Sequence, residues 1–90
     1  MAKKYDFISD PGHGWMKVPI REIKQLGIAS QISQFSYYSG EYAYLEEDCD
    51  AAVFYNAMKA QGKEVEFNFI NINHTSRIRN MRRFFPGICQ

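Results

Sequence analysis

The string Asp10-Pro11-Gly12-His13-Gly14 constrains the fold of this chain more than any other segment. It stops a stretch in which Lys3, Tyr5 and Phe7 alternate with Lys4, Asp6 and Ile8, a period of two that predicts a strand. Proline presets φ for a turn and glycine supplies positive φ, so the connection is tight and the chain must double back. Trp15 to Val18 resumes as a second short strand. A fold that opens on such a hairpin must bury one face of it, and 90 residues leave room for one domain, spanning 1–90, with one core. With 46% hydrophobic and 16% aromatic residues, that core needs neither metal nor disulfide staples.

The remaining punctuation extends the pattern. Pro19 suits the first turn of a helix, Ile20, Ile23 and Leu26 follow at helical spacing, and Gly27 is placed to cap its C-terminus. Gln31 to Tyr38 is expected as a strand, Ser39-Gly40 as a hairpin turn, and Tyr42 to Glu46 as the returning strand, with Ala43 and Leu45 on one face and Tyr42 and Tyr44 on the other. Residues 47–61 are expected as the longest helix, its acidic cluster in the first turn and Gly62 at its end. Lys63 to Asn73 is expected as a long strand. Thr75 or Ser76 can start a last helix that turns Ile78, Met81 and Phe85 inward before Pro86-Gly87 ends it. The order predicts an α+β domain: a mostly antiparallel sheet of about five strands with two or three helices on one face.

Net charge is +1, which excludes a global field drawing the chain to nucleic acid or membrane. The distribution is uneven. Residues 41–66 hold seven acids against two lysines, a net of −5, whereas residues 67–90 hold four arginines and no acid, a net of +4. Either the two segments neutralise each other or the arginines form a basic tail for an anionic partner. No stretch approaches the ~20 apolar residues of a membrane span, and Met1-Ala2-Lys3-Lys4 does not lead into the apolar run of a signal peptide. A reducing, cytoplasmic setting is expected, with Cys49 and Cys89 as free thiols and a Cys49–Cys89 bridge as the lesser alternative.

Three segments could carry recognition or chemistry. In the first, Gly12 and Gly14 let backbone N–H groups approach an anion, His13 could hydrogen-bond a phosphate or act as acid or base, and Trp15 could stack on a ring. In the second, His74-Thr75-Ser76-Arg77-Ile78-Arg79, hydroxyls and free N–H groups of a helix start could meet an anion beside Arg77 and Arg79. The third is the tyrosine-rich hairpin, from which Tyr37 and Tyr44 are the candidates for a binding surface. Glu46-Glu47-Asp48-Cys49-Asp50 could hold Mg²⁺ or run acid–base chemistry, but a helix start explains it, and neighbouring acids oppose a nucleophilic Cys49.

Asp10-Pro11-Gly12-His13-Gly14 resembles a motif of zinc-dependent cell-wall amidases of the N-acetylmuramoyl-alanine amidase type. That resemblance implies a metal-dependent hydrolase in which His13, Glu22 and His74 are the ligands. It covers five residues, and Trp15 departs from the glycine usual there. Taken together, Asp10-Pro11-Gly12-His13-Gly14-Trp15, Leu26-Gly27-Ile28-Ala29, Tyr44-Leu45-Glu46-Glu47-Asp48-Cys49-Asp50 and His74-Thr75-Ser76-Arg77 resemble a family of short uncharacterised bacteriophage and plasmid proteins over roughly residues 5–80. This implies a mobile element acting in a bacterial cytoplasm. Small proteins of that origin often bind and disable host factors, including defence systems, and that origin sets the expectation.

The expectation is therefore a non-catalytic binding protein with no cofactor and no metal. A host protein is its first expected partner and a nucleotide-like anion its second; nucleic acid ranks below both, and a homodimer is compatible with so small a domain. The metal-dependent hydrolase using His13 and His74 is the alternative.

Overall fold

The computed structural model describes residues 2–90. Within them the chain forms β1 (Lys3–Ser9), β2 (Gly14–Pro19), α1 (Ile20–Leu26), β3 (Tyr37–Ser39), β4 (Tyr42–Glu46), α2 (Ala51–Ala60), β5 (Val65–Asn71) and β6 (Arg82–Arg83). Single 3₁₀ turns at Ala29–Gln31, Arg77–Asn80 and Pro86–Cys89 complete the described structure. The strands make one six-stranded sheet in the order β5-β1-β2-β4-β3-β6. Every neighbouring pair is antiparallel except β1 and β5, which run parallel because α2 carries the chain back across the sheet. The architecture is α+β.

Alternation assigns the two faces. Phe7, Met16 and Leu45 lie in register across β1, β2 and β4. With Tyr5, Val18 and Ala43 they form the floor on which α1 and α2 set Ile23, Phe54 and Met58. The Phe54 ring meets Tyr5 edge-on at 5.3 Å. Truncating a fully buried phenylalanine of this kind costs about 3–5 kcal/mol. On the opposite face Ile8, Trp15 and Glu46 share a row, and there Trp15, Tyr44 and Ile78 make a second, smaller cluster flanked by Tyr37 and Met81. Both helices therefore sit on one face; after β5 the chain first straps the other face with Ile78 and Met81, then returns Phe84, Ile88 and Cys89 to the helix side.

Local signals hold where a turn geometry is obligatory. Gly27 takes φ of 69° as the C-cap of α1, and Gly40 takes φ of 59° at the β3–β4 hairpin. Pro19 is the last residue of β2 and the N-cap of α1, one position earlier than expected.

Three expectations are corrected. The predicted helix over 47–61 begins only at Ala51, with no acid in its first turn. Glu46 and Asp50 are instead buried. Glu46 Oε2 accepts the N–H groups of Asp48 and Cys49, which holds that stretch as a turn. The strand expected over Gln31 to Tyr38 shrinks to Tyr37–Ser39, since Ser33 and Ser36 turn inward to hydrogen-bond Asp50. The predicted last helix is a 3₁₀ turn followed by β6. Its backbone is claimed by β3, with Tyr37 opposite Arg83 and the Phe84 N–H donating to Ser36 O. A period of two then buries Phe84 and leaves Phe85, expected inside, 52% exposed.

Candidate functional site

The Asp10 carboxylate organises the loop between β1 and β2. Its Oδ1 accepts the N–H groups of Gly12 and His13, each at 3.0 Å, while Asp10 N–H donates to His13 O at 2.9 Å. Its Oδ2 accepts Ser76 N–H at 2.9 Å and Arg79 Nε–H at 2.7 Å, and Arg79 Nη2 returns to Oδ1 at 2.7 Å. One acid thus ties the first loop to the strap that arrives sixty-odd residues later. The Arg79 guanidinium holds the Asp10 carboxyl far below the usual carboxylate range; burial opposes this, and the Ser76, Gly12 and His13 N–H groups reinforce it. Asp10 in turn pushes the Arg79 guanidinium up. A Cβ on Gly12 would lie 2.7 Å from Arg79 Nη2, so any larger residue there would have to displace the guanidinium that Asp10 holds.

This fork-to-fork pair aims Arg79 across the open face of the sheet. Its guanidinium carbon lies 5.6 Å from the centre of the Trp15 ring. His13 approaches the same ring at 6.0 Å and Tyr37 at 6.4 Å, while the Arg83 guanidinium lies 4.8 Å over Tyr37. Together with Phe35, Glu46, Asp48 and Cys49 these residues line a cleft of about 470 Å³. That volume lies within the ~300–1,000 Å³ of small-molecule sites. Phe35 is 57% exposed at the rim. Trp15 is buried, and its Nε1–H has no hydrogen-bond partner among the described residues. Arginine over an aromatic face is a favourable cation–π arrangement, and it leaves guanidinium edges to bond an anion.

The sequence candidates divide. His13, Trp15, Tyr37 and Arg79 converge on the cleft. Tyr44 is buried beside Trp15 and is a floor residue. Gly12 and Gly14 shape the loop and present no free amide nest, because Asp10 takes the Gly12 and His13 N–H groups. A Cβ on Gly14 would meet Phe7 Cε1 at 2.7 Å. His74 is exposed, with Nδ1 against Thr75 O at 3.1 Å, and Arg77 is exposed outside the cleft. The expected anion site at a helix start is not built: Ser76 Oγ accepts Ile78 N–H, Ser76 N–H goes to Asp10, and the element is a four-residue 3₁₀ turn.

Sequence reading missed Asp10, Phe35 and Arg83 as parts of this site, and set Glu46, Asp48 and Cys49 aside as a helix start. An acid just before Pro-Gly was a legible signal for a side chain that caps its own turn. Arg83 had none, since its place depends on β6 pairing with β3. Cys49 is exposed at the cleft, and its thiol is pushed up by desolvation and then by the Glu46, Asp50 and Asp48 carboxylates, which makes it a poor nucleophile.

The amidase-like ligand set does not assemble. Glu22 is buried under α1, where it accepts from Tyr5 Oη and pairs with Lys3 at 2.6 Å. Tyr5 is pushed up by burial and then by that carboxylate. Among the described residues no three His, Cys, Asp or Glu side chains are grouped to hold a metal, and no helix is long and apolar enough to cross a membrane. Comparison with protein-family models, curated proteins and solved structures finds no match.

Proposed function

We propose that this protein is a non-catalytic binding module whose recognition site is the Trp15–Tyr37–Arg79–Arg83 cleft, and that the cleft takes a planar, anion-bearing ligand of nucleotide type. The observation that carries this reading is the convergence of aromatic rings, two guanidinium groups and an imidazole on one opening of about 470 Å³. The exposed Phe35 ring at the rim offers a π-face to a base, with Trp15 as the buried floor beneath the cleft, and stacking of this kind is worth about 1–3 kcal/mol per base. Exocyclic amino groups can donate to Glu46 or Asp48, and a phosphate suits Arg83 and His13.

The tyrosine hairpin supports a flat protein-docking surface less well, because Tyr44 is buried and Tyr37 is enclosed by Trp15 and Arg83. The geometry favours binding over catalysis: desolvation and the Glu46, Asp50 and Asp48 carboxylates push the Cys49 thiol up, and the His13 ring lies 6.0 Å from that of Trp15 with no nucleophile hydrogen-bonded to it among the described residues. The bacteriophage and plasmid resemblance agrees with a protein that acts on a bacterial host factor by withholding or sensing such a ligand.

Trp15 is the only tryptophan, so its fluorescence reports the site directly. Titration with nucleoside mono- and triphosphates is expected to give saturable quenching. Arg83→Ala and Tyr37→Ala should weaken it at least about tenfold, the loss of roughly one favourable contact, and Arg77→Ala should leave it unchanged. No quenching by any nucleotide up to millimolar concentration would refute the reading.

A further inference from the structure

The two edges of the sheet are finished differently. At one end β6 is two residues long and both are arginine, the kind of short charged edge that resists pairing. At the other, β5 runs for seven residues with Glu66 as its one charge and no proline. Its outer side has no partner strand among the described residues. Phe69, on the helix side, is 69% exposed, and Ile70 is exposed on the other face.

The backbone polarity of that free edge follows from two bonds. Lys3 N–H donates to Glu64 O, and Ile72 N–H donates to Ser9 O. In a parallel ladder one residue's N–H and C=O point the same way and the direction alternates along the strand. Glu66, Asn68 and Ile70 therefore spend their backbone groups on β1. Val65, Phe67, Phe69 and Asn71 turn theirs outward.

We propose that the protein forms a homodimer by antiparallel pairing of β5 with β5 of a second copy, about a two-fold axis at Asn68. Outward residues must face outward residues, so the axis must pass through a residue of the strand. At Asn68 it sets Phe67 opposite Phe69 of the second copy and Val65 opposite its Asn71, both as hydrogen-bonded pairs. Glu66 then faces Ile70, and no like charges meet. An axis at Glu66 would oppose two carboxylates, while axes at Phe67 or Phe69 leave one end of each strand beyond its partner. Asn68 alone uses the whole strand.

The aromatic payload fits the same geometry. Phe7, Phe67 and Phe69 already contact one another with centroids 5.7–5.8 Å apart, and Tyr55 stacks on Phe67 at 6.1 Å. Pairing joins this cluster to its symmetry mate through cross-strand phenylalanines, contacts that add to sheet stability. The result is one continuous sheet across both copies, with the ligand clefts clear of the interface.

Light scattering and sedimentation over about two decades of concentration test the proposal, because dimer formation follows mass action. The expected species is twice the 10.5 kDa chain mass, dissociating on dilution. Phe69→Pro removes an outward N–H and no bond to β1, so it should give a monomer with unchanged far-UV circular dichroism. In a Cys49→Ser background, Asn68→Cys should cross-link under mild oxidation, because residues at the axis approach to about 4.5–5.5 Å, whereas Asn71→Cys should not. A monomer at every concentration, a dimer that Phe69→Pro leaves intact, or equal cross-linking at both positions would overturn it.

Discussion

Replacing Asp50 with alanine should be among the most damaging polar substitutions in this chain. Asp50 is 2% exposed at the start of α2, and its carboxylate gathers the segment between α1 and β3. It accepts Ser33 N–H at 3.0 Å, Ser33 Oγ–H at 2.6 Å and Ser36 Oγ–H. Ser33 is only partly buried, so water can replace the carboxylate there. Ser36 is fully enclosed, and its hydroxyl also accepts Glu46 N–H, which links β4 to the same knot. A stranded buried donor costs about 1–3 kcal/mol, and a hydrogen bond to a charged group contributes about 1.5–3 kcal/mol. Crediting water with most of the Ser33 loss leaves about 3–5 kcal/mol for Asp50→Ala.

A chain of this size holds about 5–13 kcal/mol in all, and each kcal/mol moves Tm by about 4–8 °C. The variant should therefore melt at least about 12 °C lower by circular dichroism. Asp50→Asn keeps the shape and one acceptor, and Ser36 Oγ can rotate to accept from its amide, so its loss should stay near 1–2 kcal/mol. A double-mutant cycle with Ser36→Ala should return a coupling of at least about 0.5 kcal/mol. An Asp50→Ala protein within about 3 °C of the parent, or a zero coupling, would show that Asp50 does not organise this segment.

Three further outcomes are expected. Asp10 has its folded pKa depressed, so it contributes stability at pH above its unfolded value near ~3.9 and loses it as pH falls toward the folded value. Asp10→Asn should be less stable than the parent at neutral pH, with the gap in Tm closing below about pH 4; a gap independent of pH would contradict the pairing with Arg79. The Cys49 thiol, exposed but pushed up by burial and carboxylates, should react with a disulfide reagent at pH 8 more slowly than free cysteine, whereas buried Cys89 should react only on unfolding. Fast Cys49 labelling at neutral pH would refute its assigned surroundings. Gly14→Ala forces a Cβ to within 2.7 Å of the Phe7 ring and 3.2 Å of Glu47 Oε1, an overpacking cost of about 1–3 kcal/mol; urea denaturation at the parent's midpoint would show the opposite.

Turn chemistry and alternation were enough to read α1 with its glycine cap, the β3–β4 turn to within one residue and the opposite faces of Ala43–Leu45 and Tyr42–Tyr44 from the amino-acid order, because each depends on φ preferences or on a two-residue period. The first hairpin was also legible, but for another reason than expected: neither Gly12 nor Gly14 takes a positive φ, and the Asp10 carboxylate holds the turn. Those same local rules put Asp50 in a helix's first turn and Phe85 in the core. Neither rule can see that Ser36 needs an acceptor or that β3 needs a neighbour. Partners distant in the chain decided those points: Asp50 was drawn inward by two serines, and residues 82–84 were drawn into the sheet by Tyr37 and Tyr38. The cleft is wholly of this second kind. His13 and Trp15 were visible as an odd loop, but their meeting with Arg79 and Arg83 rests on one long-range acid–guanidinium bond and one strand pairing. Such contacts are chosen by the free energy of the whole fold, and no window of neighbouring residues contains them.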